Sequence, residues 1–155
     1  MTWVIRERRD GDLHECAALL AQVHVEQRYP VNWPDDPGTW LTPANMAAAW
    51  VVARDDEIIG HVCLVRGNLS TSDLTLERLF VSPVAVGSGV GRALVIQASD
   101  WTAQRGAQLS LDVADNCAKA VALYRRLGWR QIGETPIDWG GDLARRLLHF
   151  EAPTG

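Results

Sequence analysis

The sequence lacks most of the features that mark disulfide-rich, membrane or metal-binding proteins. It has three cysteines in 155 residues and no CxxC pair, so neither a disulfide framework nor a thiolate metal site is indicated. Its longest apolar run, residues 46–53, is too short to span a bilayer, and the first residues contain no apolar signal-peptide segment. These absences predict a cytoplasmic protein with reduced thiols and no membrane partner.

Positive charge is also scarce. The chain has 15 Lys and Arg against 19 Asp and Glu, a net charge of −4, and Lys119 is the only lysine. No basic patch suited to nucleic acid is therefore expected. The four histidines do not have the spacing of metal ligands, so no metal is expected either. The apolar content of 47% is ordinary for a globular protein, and the length suits one domain, 1–155.

Hydrophobic periodicity predicts an α/β (α+β) domain built on a mixed central sheet of about six to seven strands flanked by helices. The predicted order is a strand, a helix, a three-stranded meander, a helix, a strand, a helix and two closing strands. Asp12 and Glu15 have the spacing of a capping box for the first helix. The strand ending near residue 81, the helix after it and the strand "LSLDVA" form a βαβ crossover, which makes those two strands parallel.

A glycine-rich stretch, "VSPVAVGSGVGRAL", follows the meander at residues 81–94. Glycines between a strand and a helix let a ligand approach the unpaired N–H groups of the helix start, which favour anions. A tight turn without a ligand is the alternative. A P-loop is disfavoured because Arg92 and Ala93 replace Lys and Ser/Thr, and a dinucleotide fingerprint because Arg92 takes the place of its third glycine.

Two segments resemble motifs of the GNAT superfamily of N-acetyltransferases. "LFVSPVAVGSGVGRAL" is similar to that family's acetyl-CoA motif, and "LDVADNCAKAVALYRRLGW" is similar to the strand and helix that follow it. The predicted order of strands also agrees with the family's fold. The resemblance implies a GNAT fold, acetyl-CoA as cosubstrate, and direct attack of an amine on the thioester.

The resemblance also implies which residues contact the coenzyme. The family stabilises the oxyanion with a backbone N–H at the end of the fourth strand, here about Phe80 or Val81. The family's basic residues at the loop fall on Val86 and Ser88, so the backbone amides and Arg92 are expected to carry the phosphate contacts. The expected cofactor-binding set is Phe80, Val81, Val86, Gly87, Ser88, Gly89, Val90, Gly91, Arg92 and Asn116, the last one residue away from the family's asparagine position.

Three side chains are candidates for proton transfer. Tyr124 matches the family's general acid, which protonates the departing thiolate; packing in an apolar helix stripe is its other role. Glu77 and Asp112 alternate with apolar residues along their strands, and either is a candidate general base, as is a water chain with no dedicated base. Mid-strand His61 is expected to be a hydrogen-bonded structural histidine.

The segment "RYPVNWPDDPGTW" occupies the place where this family lines its acceptor pocket. Tyr29, Trp33 and Trp40 are expected to give flat apolar walls there, and Asp35 and Asp36 to attract a cationic amine. A surface loop whose tryptophans fill the core is the alternative.

Together these features predict transfer of acetyl from acetyl-CoA to a primary amine of a small molecule. Three alternatives stay open: a protein N-terminus or lysine as acceptor, a non-catalytic acyl-CoA-binding regulator, and a dinucleotide binder. Proteins of this fold are often dimers, so a homodimer also stays open.

Overall fold

The computed structural model describes residues 2–67 and 73–153 and consists of a seven-stranded mixed sheet with helices on both faces. The strand order across the sheet is β1-β2-β3-β4-β5-β7-β6. The strands are β1 (Val4–Glu7), β2 (Met46–Arg54), β3 (Glu57–Arg66), β4 (Asp73–Val81), β5 (Gln108–Ala114), β6 (Arg130–Pro136) and β7 (Arg146–Glu151). The helices are α1 (Leu13–Gln27), α2 (Pro37–Trp40), α3 (Val90–Gln104) and α4 (Ala118–Arg126).

The central strands are apolar on both faces because a helix covers each side. Successive side chains of β2 point to opposite faces. Val51 joins the core cluster under α1, whereas Trp50 and Val52 join the larger cluster under α3. Leu20 of α1 and Leu94 of α3 are fully buried in these two layers. The expected mixed α/β sheet flanked by helices is thus confirmed.

The candidate functional site lies where two parallel strands separate in the middle of the sheet. In the described part of the chain, β4 and β5 pair at three positions only, Asp73–Gln108, Leu74–Leu109 and Thr75–Ser110. Beyond Thr75 the two strands diverge and leave a gap that opens toward their carboxyl ends. The predicted parallel pair is confirmed, and a bulge in β4 lies beyond its last paired residue.

The bulge lies at Arg78, whose backbone φ of 57° is in the left-handed region. The pairing of β3 with β4 passes from His61–Phe80 to Cys63–Glu77, so two residues of β4 face one residue of β3. A bulge of this kind re-aims the backbone groups that follow it.

The predicted capping box of α1 is wrong. Asp12 makes no side-chain capping bond to α1; its carboxylate accepts two hydrogen bonds from Arg6, at 2.8 and 2.9 Å, and one from the backbone N–H of Arg9. Glu15 accepts the backbone N–H of Ile58 at 2.5 Å. Partners outside α1 therefore outcompete the local cap for both carboxylates.

Candidate active site

Two cavities meet where β4 and β5 separate. The first, of about 660 Å³, lies between the two strands and under the α1–α2 segment, and is called here the β4–β5 cavity. The second, of about 560 Å³, lies between the glycine-rich loop and α4, and is called the glycine groove. Leu79 and Phe80 of β4 and Lys119 and Ala120 of α4 line both. A ligand in the groove therefore has direct access to the cavity.

The glycine groove is built for an anion by the backbone. Gly87 and Gly89 have φ of 84° and 89°, a conformation that L side chains rarely adopt. This turn starts α3 at Val90, and the first helical bond runs from Ala93 N–H to the Gly89 carbonyl at 3.0 Å. The N–H groups at the start of a helix have no carbonyl one turn earlier, so they are available to a phosphate.

Cations line the groove although the family's two basic loop positions lack them. Arg92 is present as predicted, and Lys119 and Arg126 of α4 line the opposite wall. The sequence prediction missed these two because another helix contributes them across the gap.

The predicted cofactor-binding residues fall into two groups. Three of them do not line the groove. The Ser88 hydroxyl donates to the Ala85 carbonyl, Val90 is buried in the core, and Asn116 lines the β4–β5 cavity. The remaining predicted residues line the groove, namely Phe80, Val81, Val86, Gly87, Gly89, Gly91 and Arg92.

Aromatic side chains wall the β4–β5 cavity. Tyr29 and Trp40 line it as predicted and meet edge to face with ring centroids 6.1 Å apart. Trp33 does not line it: its ring packs at 5.2 Å from His24 and is 41% exposed. Trp139, from the loop between β6 and β7, also lines the cavity, and local sequence patterns did not indicate it.

A hydrogen bond joins the two loops that border this cavity. Asn32 Nδ2, in the α1–α2 segment, donates to the Trp139 carbonyl at 2.8 Å. The aspartates expected to attract an amine are not part of the cavity lining, and Asp36 instead caps α2 by accepting from Thr39.

Three carboxylates line the cavity, Glu26, Glu77 and Asp112. Burial raises the pKa of Glu77; the charge of Arg78, whose Nη1 donates to Oε1 at 3.0 Å, opposes this shift, and nearby Asp112 adds to it. Asp112 Oδ1 accepts Nδ1–H of His149 at 2.5 Å. Both predicted base candidates thus face the gap from opposite strands.

Tyr124 lies in the same cavity and is only 4% exposed. Its ring packs at 5.6 Å from Trp129 and 6.1 Å from Phe150. Burial raises the pKa of Tyr124, which keeps the hydroxyl protonated and able to donate a hydrogen bond. Burial also raises the pKa of neighbouring Cys117 to about 11, so this thiol is not a nucleophile at neutral pH.

The ladder between β3 and β4 shows which amides face the gap. Ser82 N–H donates to the Ile59 carbonyl at 2.8 Å, and alternation along an antiparallel pair then directs the Phe80 N–H toward β3 as well. The amides of Leu79 and Val81 consequently point away from β3. Of the two predicted oxyanion donors, only Val81 has an amide directed away from β3, and the Leu79 amide shares this direction.

Within residues 2–67 and 73–153, no three His, Cys, Asp or Glu side chains are grouped as metal ligands. Across the same ranges, no helix has the length and apolar character needed to cross a membrane.

The family model described as "Acetyltransferase (GNAT) family" matches residues 14–129. The chain therefore belongs to the GNAT acetyltransferase family and is an acetyl-transferring enzyme. That family uses acetyl-CoA as its cosubstrate.

Two curated relatives carry different substrate names. The chain is 41% identical over 83 residues to streptothricin acetyltransferase of Streptomyces lavendulae, a match covering 53% of this chain and 43% of that protein. It is 29% identical over 129 residues to N-alpha-acetyltransferase RimI of Mycobacterium tuberculosis, covering 79% of this chain and 75% of that protein.

Solved structures show the same fold. A nourseothricin acetyltransferase superposes with a TM-score of 0.76 at 25% identity over all of both chains. The ribosomal-protein-S18-alanine N-acetyltransferase of Escherichia coli gives 0.76 at 19% identity, over 99% of this chain and 97% of that one.

Proposed function

We propose that this enzyme transfers acetyl from acetyl-CoA to a primary amine of a small molecule by direct attack on the thioester. The observation that carries the proposal is the shared wall of the two cavities at Leu79 and Phe80. A coenzyme held in the glycine groove presents its thioester at this wall, and an amine in the β4–β5 cavity reaches it from the other side.

The coenzyme's pyrophosphate is assigned to the start of α3. The amides of Gly91 and Arg92 supply hydrogen bonds, and the helix dipole supplies partial positive charge. Lys119 and Arg126 on the facing wall supply the cations that Val86 and Ser88 do not.

The acceptor amine must lose a proton before it attacks. With a pKa near 10.4, keeping a lysine-like amine neutral at pH 7 costs about 4–5 kcal/mol. Glu77 is assigned as the base because burial raises its pKa, which makes the carboxylate a stronger proton acceptor. Asp112 is assigned to attract the cationic amine and to keep the pKa of Glu77 raised.

The attack generates an oxyanion and then releases a thiolate. The Leu79 and Val81 amides are directed toward the gap and are assigned to the oxyanion. Tyr124 is assigned to donate its proton to the sulfur as the bond between carbonyl carbon and sulfur breaks. As the tetrahedral intermediate collapses to the acetamide and coenzyme A, its nitrogen gives up a second proton, which returns through solvent to the Tyr124 phenolate, and Glu77 releases the first proton to solvent.

A small-molecule acceptor is supported by the loops around the cavity. The bond between Asn32 and the Trp139 carbonyl joins the two border loops, so an extended peptide chain has less room to leave between them than a compact molecule. The names of two relatives, streptothricin acetyltransferase and nourseothricin acetyltransferase, agree with this class.

A protein N-terminus is the second candidate, and the match to RimI favours it. A panel of small diamines, amino-sugar antibiotics and streptothricin-class compounds, assayed beside peptides with free N-termini, separates the two by kcat/KM. A preference of about tenfold or more for peptides would reject the small-molecule assignment. Trp139→Ala, which removes the exposed wall of the cavity, is expected to raise the KM for the amine more than that for acetyl-CoA.

Thermal unfolding tests the coenzyme site separately from the acceptor. Ligand at 100 times its Kd stabilises a protein by about 2.7 kcal/mol, enough to raise Tm by roughly 5–10 °C at this size. A shift with acetyl-CoA and coenzyme A, but not NAD, is expected. Coenzyme binding without turnover of any amine would instead support a non-catalytic acyl-CoA-binding regulator.

A further inference from the structure

The buried histidine of β3 contacts the bulge of β4 and is not explained by core packing alone. His61 is fully buried, and its ring stacks on Phe80 with centroids 5.0 Å apart. The Arg78 carbonyl lies 2.9 Å from Nδ1, and Arg8 Nη1 lies 3.0 Å from Nε2.

These two partners determine the protonation of the ring. The Arg78 carbonyl can only accept, so Nδ1 carries the proton. Arg8 can only donate, so Nε2 accepts. Burial lowers the pKa of His61 to about 3, and the positive charge of Arg8 acts in the same direction. His61 is therefore a neutral donor of fixed tautomer over the whole working pH range.

Arg8 is held on the other side by β2 and the segment before it. Its Nη1 also donates to the Leu41 carbonyl at 2.6 Å, and its Nη2 donates to Thr42 at 2.8 Å. Arg8, His61 and the Arg78 carbonyl form a chain of hydrogen bonds from the α2 end to the bulge. This chain fixes the carbonyl of a residue whose φ of 57° is unfavourable for an arginine.

The carbonyl that His61 holds belongs to the same peptide plane as the Leu79 N–H. In a trans peptide, the carbonyl oxygen and the amide hydrogen point in opposite directions. Fixing the Arg78 carbonyl toward β3 therefore aims the Leu79 N–H into the gap, where both cavities meet.

We infer that His61 is a positioning residue for acetyl transfer: it locks the peptide plane between Arg78 and Leu79 so that the Leu79 amide meets the thioester oxygen. The inference rests on the proposed placement of the thioester at this wall. It gives a role in the reaction to a side chain that contacts neither acetyl-CoA nor the amine.

Infrared difference spectra of bound acetyl-CoA, labelled with ¹³C at its carbonyl, test the inference without any amine. Wild type is expected to shift the carbonyl band to lower frequency than in water. His61→Phe retains the stack on Phe80 but removes the donor, and should lose most of that shift. His61→Asn places an amide donor close to the position of Nδ1 and should retain it.

The turnover rates of these variants should change in parallel with the shift of the carbonyl band. Removing an oxyanion donor outright costs about 10²–10³ in kcat, so misaligning one in His61→Phe should cost roughly 10–10²-fold. The Kd for coenzyme A, which has no carbonyl at this position, should change less than about threefold. Thr102→Val, which removes a buried hydrogen bond to the Ala98 carbonyl of α3, is the matched control for lost stability alone.

A double-mutant cycle keeps the test valid if His61→Phe folds poorly. Glycine adopts a positive φ without strain. Arg78→Gly should therefore maintain the bulge without its anchor, and His61→Phe should then cost less in that background than in wild type.

A wild-type band and wild-type kcat per folded molecule in His61→Phe would overturn the inference. An equal loss of kcat on His61→Phe in the wild-type and Arg78→Gly backgrounds would overturn it as well. If instead no small amine is accepted but the band follows His61, the acceptor assignment alone fails.

Discussion

Asp112 and His149 face each other across the pair of β5 and β7, with Asp112 Oδ1 2.5 Å from His149 Nδ1. On the far side of the ring, Nε2 lies 2.6 Å from the Thr135 hydroxyl. The carboxylate accepts from Nδ1–H, so one of its oxygens is occupied and its orientation is fixed. Asp112 therefore acts as a charge held in place opposite Glu77.

Asp112→Asn should move the pH dependence of the reaction. Asp112 contributes to the raised pKa of Glu77 as a like charge, so removing it lowers that pKa. The acid limb of the kcat/KM profile, where the base becomes protonated, should consequently shift to lower pH. The KM for the amine should increase because an attractive charge is lost. An acid limb at the wild-type position would show that Asp112 does not influence the base.

Glu77→Gln should lower kcat by about 10²-fold or more, because general base catalysis typically contributes 10²–10⁴. The acid limb itself should disappear, since glutamine does not titrate. Steady-state rates from pH 5 to 9 at saturating acetyl-CoA measure both effects. If Glu77→Gln retains the limb and Asp112→Asn abolishes it, the two carboxylates have the opposite assignment.

Tyr124→Phe should lower kcat about 10²-fold by removing the proton donor to the leaving sulfur. The ring still fills the space beside Trp129 and Phe150, so the fold and the Kd for coenzyme A should change little. Pre-steady-state rates and calorimetric titration give the two numbers. Normal turnover would restrict Tyr124 to a packing role.

Gly89→Ala should weaken coenzyme binding, because alanine at its φ of 89° costs about 1–2 kcal/mol and distorts the loop. Loss of one hydrogen bond to a charged phosphate corresponds to roughly 10–10²-fold in Kd. Gly106→Ala is the matched control: its φ is 65°, also without neighbours within 4 Å of an added Cβ, but it lies outside the groove lining. Both variants should lose stability, and only Gly89→Ala should lose affinity.

His61 should make the protein less stable in acid. Its pKa is near 6.5 in an unfolded chain and about 3 in the folded protein, so between these values only the unfolded state binds the proton. The free energy of unfolding then falls by up to about 1.4 kcal/mol per pH unit as the pH drops through this window, and is unaffected by His61 above it. Denaturant melts of wild type and His61→Phe should converge on acidification. Parallel pH dependences would mean that the ring accepts a proton in the folded state.

Most of the fold was predictable because the periodicity of the apolar residues and the order of the elements along the chain together determine it. Alternation in the meander, the glycine turn before α3 and the crossover to β5 are local signals, and each is found in the structure. The first capping box was not predictable, since Arg6 and the Ile58 amide, both outside α1, engage its two carboxylates.

The site was predictable where one segment builds it and not where separate elements meet. The glycine loop and Tyr124 carry their own motifs, and both lie in the predicted region. Lys119, Arg126 and Trp139 reach the cavities from other elements, which local patterns cannot show. The direction of the Leu79 amide was not predictable, because it depends on a bulge in β4 rather than on side-chain chemistry.

The short pairing of β4 with β5 gives this sheet an edge in its interior. Edge strands are usually found at the outside of a sheet, where their N–H and carbonyl groups offer pairing to another chain. Here two such edges face each other inside the molecule, and a slender polar ligand between them can bond to each as an additional strand would. A substrate bound there then fills the gap between β4 and β5 and makes the sheet continuous. Amide hydrogens along both edges should therefore exchange more slowly in the complex than in the free enzyme.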